Sequence, residues 1–166
     1  MIVDYGRCMP VELSQLDLGT LALFVGQACG DEVQAVLARR GFDDVRVSHG
    51  YVFQHLVEGP RPITELAHRL EISQQAVSKT VAELVSLGYV ELAGDEADAR
   101  RKQVRLSKRG QSVIEAARKA RGAQEARLEM SFGAAELARG RRLLAAILED
   151  LGGTDAVRNR RVRAPR

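Results

Sequence analysis

At 166 residues the chain is long enough for one sizeable hydrophobic core and short for two, so one compact domain with extensions is the starting expectation. Its 45% hydrophobic content suits a soluble globular protein, no apolar run approaches the ~20 residues that cross a bilayer, and the opening MIVDYGRCMPVEL lacks the basic start, apolar stretch and cleavage site of an export leader. Two cysteines, Cys8 and Cys29, exclude a secreted disulfide scaffold and point to a reducing cytoplasm. The net charge of +3 is uneven: the tail TDAVRNRRVRAPR sets five arginines against Asp155 for a net +4, leaving the remainder at −1, so global charge alone does not announce a nucleic-acid binder.

In chain order, apolar residues Leu16, Leu21, Phe24, Val25, Ala28, Val33, Val36 and Leu37 recur at helical spacing over about 11–40. Asp17 lies near the start, Arg39 and Arg40 fall in the last turn and Gly41 follows as a C-cap, while Gly26 and Gly30 open the way to a kink or a break. This helix either pairs with a second subunit or covers the core. A second helix is expected over 48–57, ended by Gly59, Pro60 and Pro62. His49 and His55 fall on it, and a lone histidine there reads as a surface or satisfied core residue rather than a ligand.

The stretch 63–110 organises the rest. Thr64 is expected as the N-cap of a short helix with Leu66, Ala67 and Leu70 on its apolar face; Glu71-Ile72-Ser73 forms a turn, and Ser73 caps the next helix. In QQAVSKTVAELVSLG, Ala76, Val77, Val81, Leu84 and Val85 are expected to bury, leaving Gln74, Gln75, Ser78, Lys79 and Ala82 outside. Gln pairs bidentately with adenine, Lys donates to guanine, and Ser serves a base or a phosphate, so this face suits a major groove; the same residues also make an ordinary solvated surface. Gly88 ends the helix, and two short strands, 89–92 and 104–106, flank a turn carrying Arg100, Arg101 and Lys102. An arginine at a hairpin tip fits a narrow minor groove, and Asp98, two residues earlier, is suited to orient it.

The order ELAxxLxISxxxVSK, then LxxxGYVE, then DEADARRKxVxLSKRG resembles the DNA-binding core of the MarR (multiple antibiotic resistance regulator) family of bacterial transcription factors. In that family the D-x-R element of the wing supplies a minor-groove arginine and its orienting aspartate, which map onto Arg100 and Asp98. Two positions depart from the pattern: Glu71 stands where helix-turn-helix units often carry Gly, and Leu92 where the family frequently carries Arg.

Beyond Ser107, a further N-cap, Val113, Ile114, Ala117, Ala120, Ala123 and Leu128 mark one long helix, and Leu137, Leu143, Leu144, Ile147, Leu148 and Leu151 give a last helix a stronger apolar stripe. These helices carry more apolar surface than a small monomer covers. The resemblance implies that they pair with the first helix of a second subunit, setting two winged units on half-sites about one helical turn apart. The Arg-rich tail is expected to be disordered and to add phosphate attraction.

No catalytic arrangement emerges, and no cofactor is expected. His49 lies where zinc-sensing members of the resembled family place a ligand, but those members use further histidines on the helix after the wing, and 108–130 holds none, so no metal site is expected. Peroxide-sensing members use an N-terminal cysteine supported by tyrosines, which makes Cys8, near Tyr5, and Cys29 redox candidates. A small aromatic acid is another effector class, with Phe24, His49, Phe53 and Arg118 as pocket candidates.

The expected fold is mainly α with a small two-stranded β wing: 1–47 and 111–152 as N- and C-terminal dimerisation helices, 48–110 as the winged helix-turn-helix DNA-binding domain, and 153–166 as a basic tail. The expected function is a cytoplasmic homodimeric regulator, a repressor rather than an activator, binding double-stranded DNA through Ser73, Gln74, Gln75, Ser78, Lys79, Asp98, Arg100, Arg101 and Lys102. It is not an enzyme and has no membrane partner. The alternative is a winged-helix interaction or architectural DNA-binding module without a specific operator.

Overall fold

Asp17 opens helix α1 (Leu18–Arg39) in the computed structural model, which describes residues 12–94 and 102–158. Its carboxylate accepts from the Thr20 N–H at 2.9 Å and from the Thr20 hydroxyl at 2.6 Å, satisfying a donor that the first turn leaves free. A short 3-10 turn, Leu13–Gln15, precedes it. Gly41 follows the helix at φ 82, a left-handed conformation that costs a residue without Cβ little. Gly26 and Gly30 do not break the helix: α1 is a single helix of 22 residues. It is held from outside, by Val33 and Leu37 buried against the core and by Glu32, which accepts from Gln124 at 2.8 Å and pairs with Arg127 at 2.7 Å on a later helix.

Helix α1 also overturns the expectation that no segment is long and apolar enough to cross a membrane. By length and composition it is, with a mean hydropathy of 1.2 over an 18-residue window of which 11% is buried. Gly, Ala and Cys interleave with Leu and Val, so the apolar character is spread thinly rather than gathered in a visible run, and Asp31 and Glu32 are its only charges before Arg39. In this fold α1 packs along the helix that follows the wing.

Helix α2 (His49–Leu56) buries Val52, Phe53 and Leu56. Two extended residues, β1 (Arg61–Pro62), lead into α3 (Ile63–Leu70), which buries Leu66, Ala67 and Leu70. Pro62, not Thr64, occupies the N-cap position and supplies no side-chain cap. Its ring lacks the N–H that a helix start would leave unpaired, and its extended backbone is already committed to a sheet. That sheet is the second departure: the wing strands β2 (Val90–Gly94) and β3 (Lys102–Leu106) are joined by β1, in the order β1-β3-β2, all antiparallel. Arg61 pairs with Val104 and Pro62 with Gln103. A two-residue strand carries no alternation, so the sequence around Gly59, Pro60 and Pro62 reads only as a helix terminator.

Helix α4 (Gln74–Ser86) lies on α3 and buries Val77, Val81 and Leu84. Ala76 and Val85, expected inside, are exposed; the contact stripe on this helix is one residue wide per turn. Tyr89, Val90 and Val104 continue the core into the sheet. Ser107 caps α5 (Lys108–Phe132) through the Gly110 N–H at 3.0 Å. Gly110 has no room for a Cβ, which would overlap the Tyr89 carbonyl. The first half of α5 buries Val113, Ala116 and Ala120, whereas the second half and the whole of α6 (Ala134–Asp150) bury almost nothing. A short helix α7 (Thr154–Arg158) occupies the start of the basic tail, which reads in the sequence as unstructured.

Candidate nucleic-acid interface

The turn between α3 and α4 sets the direction of the second helix. Glu71 sits at φ 54 and ψ 37, the left-handed conformation for which glycine is usual, so the departure from Gly is a change of residue and not of turn geometry. Ser73 then leaves the turn extended, and its hydroxyl accepts from the Ala76 N–H at 3.1 Å. With Val77, Val81 and Leu84 fixed inside, the 3.6-residue period places Gln74, Gln75, Lys79 and Ala82 outside, with Ser78 half-buried at the margin. Among the described residues, the side chains of Gln74, Gln75, Ser78 and Lys79 have no hydrogen-bond or ion-pair partner. No carboxylate shares the first two turns of this face.

Three polar clusters hold α4 and the sheet in place. Arg61 in β1 donates to the His55 carbonyl at 2.7 Å, to Glu65 at 2.6 Å and to Glu58 at 2.8 Å. It thereby joins the end of α2, the first turn of α3 and, through strand pairing, the wing. Glu65 also accepts from Arg69 at 2.8 Å; burial pushes its carboxyl up, but the two guanidiniums outweigh this and hold it below its usual value. In the second cluster Tyr89 donates to Asp44, and Arg109 reaches Asp44 at 3.0 Å while lying over the Tyr89 ring at 4.7 Å. Partial burial opposes the charge on Asp44, yet Tyr89 and Arg109 keep its carboxyl below the usual range.

The third cluster joins the loop before α2 to α4. The Arg46 N–H donates to His49 Nδ1 at 3.2 Å, and the Arg46 guanidinium pairs with Glu83 on α4. The Arg46 guanidinium also donates to His49 Nε2 at 3.3 Å, and Glu83 Oε1 lies 3.7 Å from the same nitrogen. His49 is 1% exposed, and burial, reinforced by Arg46, pushes its pKa down despite the nearby Glu83. It is a satisfied core histidine, with Phe53 packed edge-on to its ring. Sequence reading singled out neither Arg46 nor Arg61. For Arg61 a signal existed, since Glu58 and Glu65 stand three residues before and four after it.

At the wing, Lys102 is exposed on β3 opposite Gly94, and Arg105 is taken up by Glu91 across the strands at 3.0 Å. Asp98, Arg100 and Arg101 lie outside the described residues. So do Cys8 and the tail beyond Arg158. Cys29 is free and half-buried, and its carbonyl accepts from Gln124 at 3.2 Å.

A cavity of about 420 Å³ opens between α1, the loop before α2, α2 and α5. Of the four pocket candidates, Phe53 and Arg118 line it. Phe24 and His49 do not: the first points outward from α1 and the second is turned toward Glu83. Val33, Leu37, Val113 and Ala117 give the cavity an apolar wall, and Arg46 and Arg121 join Arg118 as its charged residues. No group of three or more His, Cys, Asp or Glu residues among the described residues is placed to hold a metal ion.

Comparison with known proteins places this geometry. A family model described as MarR family matches residues 43–101. YusO of Bacillus subtilis is similar over 82% of this chain and 94% of its own, at 22% identity and a TM-score of 0.65. Wild-type MarR of E. coli in its apo form is similar over 80% of this chain and 98% of its own, at 23% identity and a TM-score of 0.58. A point mutant of S. aureus MepR, solved bound to an oligodeoxyribonucleotide, is similar over 82% of this chain and 99% of its own, at 18% identity and a TM-score of 0.60. No curated protein sequence matches significantly.

Proposed function

The chain carries the winged helix of the MarR-family transcription regulators, and from that premise we infer that it is a sequence-specific DNA-binding regulator, a repressor acting as a homodimer on a pseudo-palindromic operator. The observation that carries this reading is the outer face of α4, whose Gln74, Gln75, Ser78 and Lys79 have no partner among the described residues and follow a capped helix start. Side chains of these types, at the N-terminal end of the second helix of the motif, are positioned to reach base edges in a major groove. Ser73 and Lys102 serve phosphates, joined by Arg101; Arg100, oriented by Asp98, enters the minor groove. A MepR mutant of similar fold, bound to an oligodeoxyribonucleotide, supports DNA as the partner.

Dimerisation is supported by the apolar side chains that the monomer leaves outside. Leu23, Phe24 and Val25 on α1, Leu143 and Leu144 on α6, and Leu151 just beyond it are each about half exposed or more. Together they form the kind of surface that a second copy buries. The cavity beside Phe53 and Arg118 has an apolar wall and arginines without a lining carboxylate, which supports a small organic anion, such as an aromatic acid, as the releasing signal. Cys8 and Cys29 are the oxidant-sensing alternative. A cytoplasmic location accords with this role.

Selection of genomic fragments by the purified protein at a fixed salt concentration tests the reading. Enrichment of an inverted repeat whose half-sites lie about one helical turn apart is the expected result. Recovery of fragments without a shared sequence would contradict it and favour an architectural role.

A further inference from the structure

Arg46 belongs to two sites at once. It lines the cavity between α1, α2 and α5, and its guanidinium pairs with Glu83 in the second half of α4. Among the described residues, no residue of α4 lines that cavity. Arg46 is therefore common to the cavity wall and to a polar contact on the helix assigned to the major groove. The pair spans 37 positions of sequence and joins the loop before α2 to α4, beside the contact of His49 with the same Glu83.

We propose that the Arg46–Glu83 ion pair couples the cavity to α4: an anionic group in the cavity competes with Glu83 for Arg46 and frees the helix from its DNA-binding setting. This rests on the reading of the chain as an effector-released regulator. The other two lining arginines, Arg118 and Arg121, draw an anion into the cavity, and no lining carboxylate repels it. Both partners are partly solvated, Arg46 by 60% and Glu83 by 37% of their side chains, so separating them leaves no buried charge. Glu83 also has His49 Nε2 at 3.7 Å as a second polar neighbour. A solvated pair contributes modestly, so the coupling is a bias of a few fold rather than an all-or-none lock.

Linkage makes the proposal sharp, because two ligands that disfavour each other must do so reciprocally. Operator affinity is measured by fluorescence anisotropy and benzoate affinity by calorimetry, for the wild type, Glu83→Gln and Arg46→Gln. Glu83→Gln releases Arg46 to the cavity: operator binding weakens about threefold, although the change adds positive charge, and benzoate binding tightens about threefold. Arg46→Gln weakens both. A purely structural role for the pair would not move the two affinities of Glu83→Gln in opposite directions. The coupling is overturned if that variant shifts both affinities the same way or neither, or if the wild type gives no benzoate heat. Failure of the regulator reading is seen separately, as a wild type that selects no operator at all.

Discussion

The winged unit and the helices that flank it are built on opposite economies of surface. Between His49 and Leu106 the chain closes on itself: Leu66, Val77, Leu84, Tyr89 and Val104 are fully buried, and three polar clusters tie the ends of the elements together. Helix α6 has no buried residue, and the outer part of α1 exposes Leu23, Phe24 and Val25. A unit with its own core can hold a reading face rigidly. Where α6 and the outer part of α1 lack one, a second copy would supply it, so on the proposed reading the stability of the first region belongs to the chain and that of the second to a dimer.

That contrast yields its largest effect at Leu84. Leu84→Ala opens a cavity under α4 and lowers unfolding free energy by about 3 kcal/mol at any protein concentration, read by urea denaturation. Leu144→Glu on α6 leaves the winged unit folded and raises the dimer dissociation constant by about thirtyfold, or about 2 kcal/mol, read by analytical ultracentrifugation. If Leu144→Glu instead lowered stability independently of concentration, the two regions would be one unit and the contrast would fail.

Changes within the winged unit sharpen the division between holding and reading. Arg100→Ala weakens operator binding by about 1 to 3 kcal/mol in a salt-controlled titration and leaves the dimer intact. Ser73→Ala removes the cap of α4 and costs about 1 kcal/mol of thermal stability. The smallest effect is at His49. Its folded pKa lies below the ordinary 6.5, so the unfolded chain takes up a proton that the native protein resists. Stability is therefore full above about pH 6.5 and declines as pH falls toward the lowered native value, and His49→Gln flattens that slope in denaturation series at several pH values.

Much of the winged unit was legible because its determinants are local. Ser73 and Ser107 cap the helices foreseen for them, and the 3.6-residue period separates Val77, Val81 and Leu84 from the outer face of α4 without reference to anything distant. What stayed hidden was non-local or too short to have a period. Strand β1 is defined only by its partner in β3, about forty residues on. Nothing in the spacing of Arg46, His49 and Glu83 reveals that they meet, and Phe24 and His49 were assigned to a cavity that Phe53 and Arg118 line without them.

The central claim is that the N-terminal face of α4 reads base edges. It is tested most directly by measuring Gln75→Ala and Lys79→Ala against a panel of operators carrying single base-pair substitutions, at constant salt. The account predicts that at least one variant loses discrimination at one base pair, repeated symmetrically in both half-sites, with about 1 to 3 kcal/mol less penalty for the wrong base there. Uniform weakening across the panel, or unchanged discrimination in both variants, would contradict it.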